Sequence, residues 1–206
     1  MTRATTKPVT FEQFLEVCPD DGIYELVDGE IVKLEPTRAH QKVAELISDS
    51  FKAEARRCNL DYFVTGKVVV RVQTKTGFER GRNPDVSVID EALWDEDLTS
   101  YSALREPFQL AVEVASTNWR DDYIDKVDEY QRLGILEYWI VDYLALASAE
   151  YLGQSKVPTV SVYQLIEGQY KATQFRGQER IVSNTFPELE LTVAQIVAAS
   201  LPRHRF

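Results

Sequence analysis

The chain has 206 residues, 44% of them apolar and 27% charged, which is the profile of a globular protein of one domain and excludes a disordered chain. Nowhere does it offer the ~18 consecutive apolar residues a membrane span needs, and no apolar stretch follows the basic residues of the N-terminus, so a membrane partner is excluded and the cytoplasm is the expected location. With two cysteines far apart, Cys18 and Cys58, and two histidines, His40 and His204, neither a zinc site nor a disulfide framework is expected. The net charge of −10 argues against an ordinary nucleic-acid binder until it is split by segment: Arg38 to Arg82 holds ten Lys and Arg against five acids, a balance of +5, leaving −15 for the rest.

No repeat, low-complexity tract or linker divides the chain, so a single domain is expected over residues 10–200, with flexible tails at 1–9 and 201–206. After a short start from Thr10 to Cys18, Ile23 to Val27 and Glu30 to Leu34 flank Asp28-Gly29, a two-residue hairpin signal. Pro36-Thr37 opens a helix to about Arg57 with His40, Val43, Ala44, Ile47 and Phe51 on its inward face. On that face His40 reads as a core histidine or as a ligand. Strand-like runs follow from Tyr62 through Val72, from Asp85 to Ile89 and from Phe108 to Ala115, the first two joined by a polar tip at Gln73 to Gly77.

A helix capped by Asn118 runs to Leu133 and stops at Gly134. A buried strand, Glu137 to Asp142, follows it, and a hairpin of Val160 to Leu165 with Tyr170 to Phe175 and a helix from Thr192 to Ala199 close the chain. The core order is helix, three strands, helix, strand, with a hairpin added at each end: an α/β sandwich around a mixed sheet. Tyr138, Trp139 and Tyr143 read as packing residues, and Asp121, Asp125, Asp128 and Glu129 as a solvated helix face.

Two acids stand out because each sits in an apolar strand: Asp85 in Asn83-Pro84-Asp85-Val86-Ser87-Val88-Ile89, and Glu113 in Leu110-Ala111-Val112-Glu113-Val114-Ala115. An ionised carboxylate in a sheet interior costs several kcal/mol unless something compensates it. A shared hard divalent cation would do so; strands that end at the surface are the plainer alternative. Alternation puts Asp85 with Ser87 and Glu113 with Ala111 and Ala115 on their respective faces, leaving room beside the carboxylates. On a helical wheel Lys126 falls at the margin of the stripe made by Tyr123, Val127, Tyr130 and Gly134. There it either reaches toward the sheet or forms an exposed pair with Asp122.

The ordered set Tyr24-Glu25-Leu26-Val27-Asp28-Gly29-Glu30, His40-Gln41, Pro84-Asp85-Val86, Glu113-Val114-Ala115-Ser116, then Lys126, Tyr130, Gly134 and Glu137 to Asp142 resembles the Uma2 family of restriction endonuclease-like proteins over about Phe11 to Leu191. The resemblance implies the restriction endonuclease-like core of the PD-(D/E)xK nucleases. It further implies a DNA endonuclease dependent on Mg2+ or Mn2+, with Asp85 and Glu113 as metal ligands and Glu25 and His40 lining the cleft. Ala115 stands where the superfamily's commonest pattern has its lysine, and the resemblance moves that role to Lys126. The basic segment then supplies candidate contacts to the DNA backbone in Lys75, Arg80 and Arg82, and cutting both strands suggests a homodimer. Two other readings remain open: a silent nuclease-fold module that binds or regulates, and a hydrolase of smaller phosphoesters.

Overall fold

The first ordered element is set by its cap. In the computed structural model, which describes residues 8–19 and 21–202, the Thr10 side chain accepts the Gln13 N–H while the Gln13 side chain accepts the Thr10 N–H. Helix α1 (Phe11–Val17) thus starts at a capping box and buries Phe11 and Phe14 against Leu26 of β1 (Ile23–Val27). Strand β1 pairs antiparallel with β2 (Glu30–Leu34) across Asp28 and Gly29, whose φ values of 51° and 82° are those a two-residue hairpin requires. Of the expected tails, residues 1–7 and 203–206, His204 among them, lie outside the described residues, and Val9 donates its N–H to the Gly29 carbonyl at 3.0 Å.

Thr37 caps helix α2 (Arg38–Cys58) by accepting the His40 N–H, and Asn59, left-handed at φ 53°, ends it. The continuous strand expected from Tyr62 through Val72 is instead two strands in two sheets. The chain turns at Gly66-Lys67 between β3 (Tyr62–Thr65) and β4 (Val69–Gln73). The Gln73 to Gly77 tip therefore joins β4 to β5 (Glu79–Arg82), while β3 pairs with β6 (Val86–Asp90). After the short helix α3 (Glu91–Asp95) come β7 (Ala103–Leu104), parallel to β4, and β8 (Leu110–Val114), antiparallel to β6.

A π turn (Asp121–Asp125) leads into α4 (Lys126–Leu133), which Gly134 ends at φ 95°. Strand β9 (Glu137–Asp142) lies parallel to β8, as a crossover helix requires. Helix α5 (Ala149–Leu152), the hairpin of β10 (Thr159–Ile166) with β11 (Gln169–Arg176), and α6 (Val193–Ser200) complete the chain.

One sheet has the order β11-β10-β9-β8-β6-β3 and the other β2-β1-β5-β4-β7. Following the first sheet along the chain gives α2, β3, β6, β8, α4, β9, the expected helix, three strands, helix, strand; β4 and β5 are diverted to the second sheet. Val43, Ile47 and Phe51 of α2 and Ile196 of α6 cover one face through Val86, Val88, Val112 and Val141. On the opposite face Ala111, Ala115, Tyr138 and Ile140 meet Tyr123 and Tyr130 together with Val70, Val72 and Leu104 of the second sheet. Every residue of β8 and β9 is buried, so a charge on that opposite face must be answered by α4 or by the second sheet. Among the described residues no helix is long and apolar enough to cross a membrane.

Candidate active site

Register brings the two acids together. Val86 lies opposite Val112 and Ser87 opposite Ala111, so the next step of the antiparallel ladder sets Asp85 beside Glu113. Asp85 stands at the mouth of β6 with its side chain 20% exposed; Oδ2 accepts the Val114 N–H at 2.7 Å and Oδ1 lies 2.7 Å from His40 Nε2. His40 sits in the capped first turn of α2, so its ring is held by a rigid element. Gly66 packs under the same point: a Cβ there would come within 2.6 Å of the Asp85 carbonyl oxygen.

Glu113 is buried. Its Oε1 accepts the Tyr130 hydroxyl at 2.8 Å and its Oε2 lies 2.9 Å from Lys126 Nζ. Lys126 and Tyr130 are four residues apart on α4, which puts both on the side facing the sheet. Lys126, 5% exposed, also reaches Glu25 Oε1 of β1 at 3.4 Å and Asp122 Oδ1 at 3.3 Å. Lys126 thus reaches toward the sheet, and its pair with Asp122 is buried there, not exposed as the alternative reading had it. Glu25 accepts from the Asn83 N–H at 3.2 Å and from Arg82 Nη1 at 3.0 Å, tying the second sheet to the segment that carries Asp85.

The electrostatics follow from three acids around one ammonium, with Asp85 beside Glu113 as a fourth. Burial pushes the Glu113 carboxyl well above the usual carboxylate range; Lys126 opposes this, while Asp85, Asp122 and Glu25 add to it. Burial likewise pushes Asp122 up to about 6 against the pull of Lys126. Burial draws the Lys126 ammonium down, yet Glu113, Glu25 and Asp122 outweigh it and hold the group well above its ordinary value. For Glu25 burial acts upward, but Lys126 and Arg82 prevail and the carboxyl is lowered. Lys126 is therefore a fixed cation in a pocket with surplus acid.

Arg82 does not face a DNA backbone as expected. It is 0% exposed, and five hydrogen bonds use its five N–H donors: two to Glu129 at 2.7 and 3.2 Å, two to Asp121 at 2.9 and 3.0 Å, and one to Glu25 at 3.0 Å. Arg80 is half-buried, bonded to Asp28, Asp125 and Glu129. Lys75 is exposed at the hairpin tip, 3.3 Å from Asp128. The helix face expected to be solvated is corrected at Glu129, which is buried because Arg80 and Arg82 of β5 lie over it. Tyr138, Trp139 and Tyr143 are buried packing residues.

Asp122, Tyr130 and Arg82 join the site in roles the sequence did not assign: Asp122 as a buried partner of Lys126, Tyr130 as a donor to Glu113, and Arg82 as an internal anchor instead of a DNA contact. Asp122 and Tyr130 lie four residues before and after Lys126, the spacing that already pairs Asp122 with it and that carries Tyr130 to the same side; nothing local signals that Arg82 turns inward. The oxygen-only donors of Asp85 and Glu113 suit a hard divalent cation. Two further features fit one: the acid surplus, and the buried, unpartnered Ser87 Oγ and Asn83 Oδ1 two residues to either side of Asp85. Among the described residues no three His, Cys, Asp or Glu converge as a ready-made metal cluster, so a cation held by Asp85 and Glu113 would take its other ligands from water and substrate.

A family model, Uma2, described as "Putative restriction endonuclease", matches residues 11–194. No curated protein matches the chain. Among solved structures, the crystal structure of a "putative nuclease belonging to DUF820" from Anabaena variabilis ATCC 29413 is similar in fold, with a TM-score of 0.70 at 14% identity, covering 94% of this chain and 100% of that one.

Proposed function

The chain belongs to the Uma2 family, and on that footing we propose that it is a metal-dependent DNA endonuclease working at Asp85, Glu113 and Lys126. The observation that carries this reading is the Lys126 ammonium 2.9 Å from Glu113 Oε2, delivered from α4 in the absence of a lysine two residues after Glu113. Asp85 and Glu113 would hold Mg2+ or Mn2+, which when bound supplies a Lewis acid that lowers the pKa of a water and neutralises charge on a phosphoryl oxygen.

The chain's own groups do the positioning. His40 and the Val114 N–H fix the Asp85 carboxylate, and the Tyr130 hydroxyl fixes one oxygen of Glu113. Lys126 stays protonated, so its role is that of a donor and not a base: it orients the attacking water or stabilises a non-bridging oxygen as charge builds. Cutting both strands of a duplex would use a symmetric pair of chains.

A second reading, a nuclease-fold module that binds without cutting, is favoured by one observation. Both Asp85 oxygens and the Lys126 ammonium already have protein partners, which a substrate must displace. Incubation of plasmid and single-stranded DNA with Mg2+, Mn2+ or chelator, beside Glu113→Gln and Lys126→Ala, separates the two. Metal-dependent nicking lost in both variants supports the nuclease. No cutting with either metal, by folded protein that still binds Mn2+ through Asp85 and Glu113, overturns it in favour of the silent module.

A further inference from the structure

Where α4 begins, the helix is wound wider than an α-helix: the Lys126 N–H bonds the Asp121 carbonyl, five residues back. In an α-helix that N–H would serve the Asp122 carbonyl. Here the Asp122 carbonyl accepts instead from the buried Tyr138 hydroxyl at 3.0 Å. The Tyr138 hydroxyl thus satisfies the carbonyl that the π turn leaves over, and single π turns of this kind are frequent at functional sites.

The winding decides which way the acids point. At about 100° per residue, an α-helix would turn Asp121 roughly 140° away from Lys126. An i to i+5 closure sets residues roughly 82° apart, bringing Asp121 to within roughly 50° of Lys126 and Asp122 to within roughly 30° on the other side. Both acids are then usable at once: Asp121 grips Arg82 with two oxygens at 2.9 and 3.0 Å, and Asp122 lies 3.3 Å from Lys126 Nζ.

Arg82 closes the circuit. Its Nη1 bonds Glu25 Oε2 at 3.0 Å, and the other oxygen of Glu25 lies 3.4 Å from Lys126 Nζ. The path Arg82, Glu25, Lys126, Asp122, Asp121 returns to Arg82 through neighbouring residues of one turn. None of the five Arg82 bonds goes to Asp85 or Glu113.

We propose that Arg82 is a positioning residue for Lys126, acting through Glu25 of the second sheet and through the π turn that carries Asp121 and Asp122, with the Tyr138 hydroxyl locking that turn. The planar guanidinium spans three carboxylates, which a lysine ammonium at the same place does not. This rests on the reading of Lys126 as the working cation, but its test needs no cleavage.

Carbon-13-labelled lysine gives a Lys126 side-chain signal identified by its loss in Lys126→Arg. It is read at neutral pH in Asp121→Asn, Tyr138→Phe and Arg82→Lys, with the Trp139 indole N–H, bonded to Glu137 at 2.6 Å, as the reporter of the sheet. The Lys126 signal is expected to move toward those of the exposed lysines while the Trp139 signal stays. Reductive methylation of Lys126 should quicken roughly tenfold as the local site opens, with no change at the exposed lysines. A Lys126 signal that stays put in Asp121→Asn and Tyr138→Phe overturns the proposal, and so does a Trp139 signal that moves with it. Should Arg82→Lys not fold, the two milder variants still decide. A protein that passes this test and cuts nothing defeats the nuclease reading alone.

Discussion

Beside its proposed mechanistic role Lys126 has a structural one, because Glu25, Glu113 and Asp122 are buried around it. Removing one partner of a buried ion pair costs about 3–5 kcal/mol, since the remaining charges are left uncompensated. Lys126→Ala should therefore lower the melting temperature by on the order of 10 °C in calorimetry at neutral pH, and adding Glu113→Gln should recover part of that fall. Equal or additive losses would show that the ammonium does not hold these acids. Asp122 has the opposite sign. Its carboxyl is raised in the fold from 3.8 to about 6, so the folded state binds this proton more tightly than the unfolded chain does. The stability it contributes is complete below pH about 4 and is lost as pH rises to about 6. Asp122→Asn keeps the group neutral throughout, so the unfolding free energy of the variant minus that of the native chain should climb between pH 4 and 6 and level off above; denaturant melts across that window that give a flat difference would refute the assignment.

Among the elements, the junction of β3 and β4 touches the candidate site through Gly66. Gly66 does not have a left-handed φ, and its constraint is the Asp85 carbonyl 2.6 Å from where a Cβ would stand. Gly66→Ala is expected to destabilise the fold by about 1–3 kcal/mol through this backbone clash. Because the displaced atom belongs to Asp85, Mn2+ binding followed by titration calorimetry should weaken too. Gly77→Ala, at the open hairpin tip with φ 82°, should destabilise without touching metal affinity, and equal affinity in both variants would remove Gly66 from the site. The same junction marks a limit on what the sequence discloses. The Asp28-Gly29 hairpin, α2 and the acid-bearing strands are legible because turn chemistry, a period of 3.6 and short apolar runs are local signals. The break at Gly66 is not, because Tyr62 to Val72 is rich in β-branched residues on both sides of it and only distant partners assign β3 to one sheet and β4 to the other. Nor is the π turn: Asp121 acquires its role from Arg82, 39 residues earlier, and Glu129 is buried by the same arginine at a separation of 47.

For the molecule as a whole, the charge balance of the Arg38 to Arg82 segment means less than its +5 suggests. Arg57 pairs with Glu54 and Glu188, Arg71 with Glu79 and Lys75 with Asp128, while Arg80 and Arg82 turn inward. Among the described residues Arg38, Lys42, Lys52, Arg56 and Lys67 keep no ion pair and are exposed, and so is Arg120 outside the segment. Two of these six are close in sequence to groups that touch Asp85, Arg38 two residues before His40 and Lys67 next to Gly66, and Arg120 precedes Asp121 of the Arg82 grip. On the proposed endonuclease reading, these three are the cations expected to meet a duplex that presents a phosphate to Asp85. Each phosphate contact contributes about 0.9 to the slope of log K against log salt, so the triple variant Arg38→Ala, Lys67→Ala, Arg120→Ala should flatten that slope by about 2 to 3 for non-specific duplex DNA. Lys75→Ala, whose ammonium is turned to Asp128, should leave it nearly unchanged. The comparison is between two sets of exposed cations on one anionic molecule, so a general effect of net charge would move both. An unaltered slope in the triple variant would place the path of the nucleic acid on another face, even if cleavage at Asp85 and Glu113 is found.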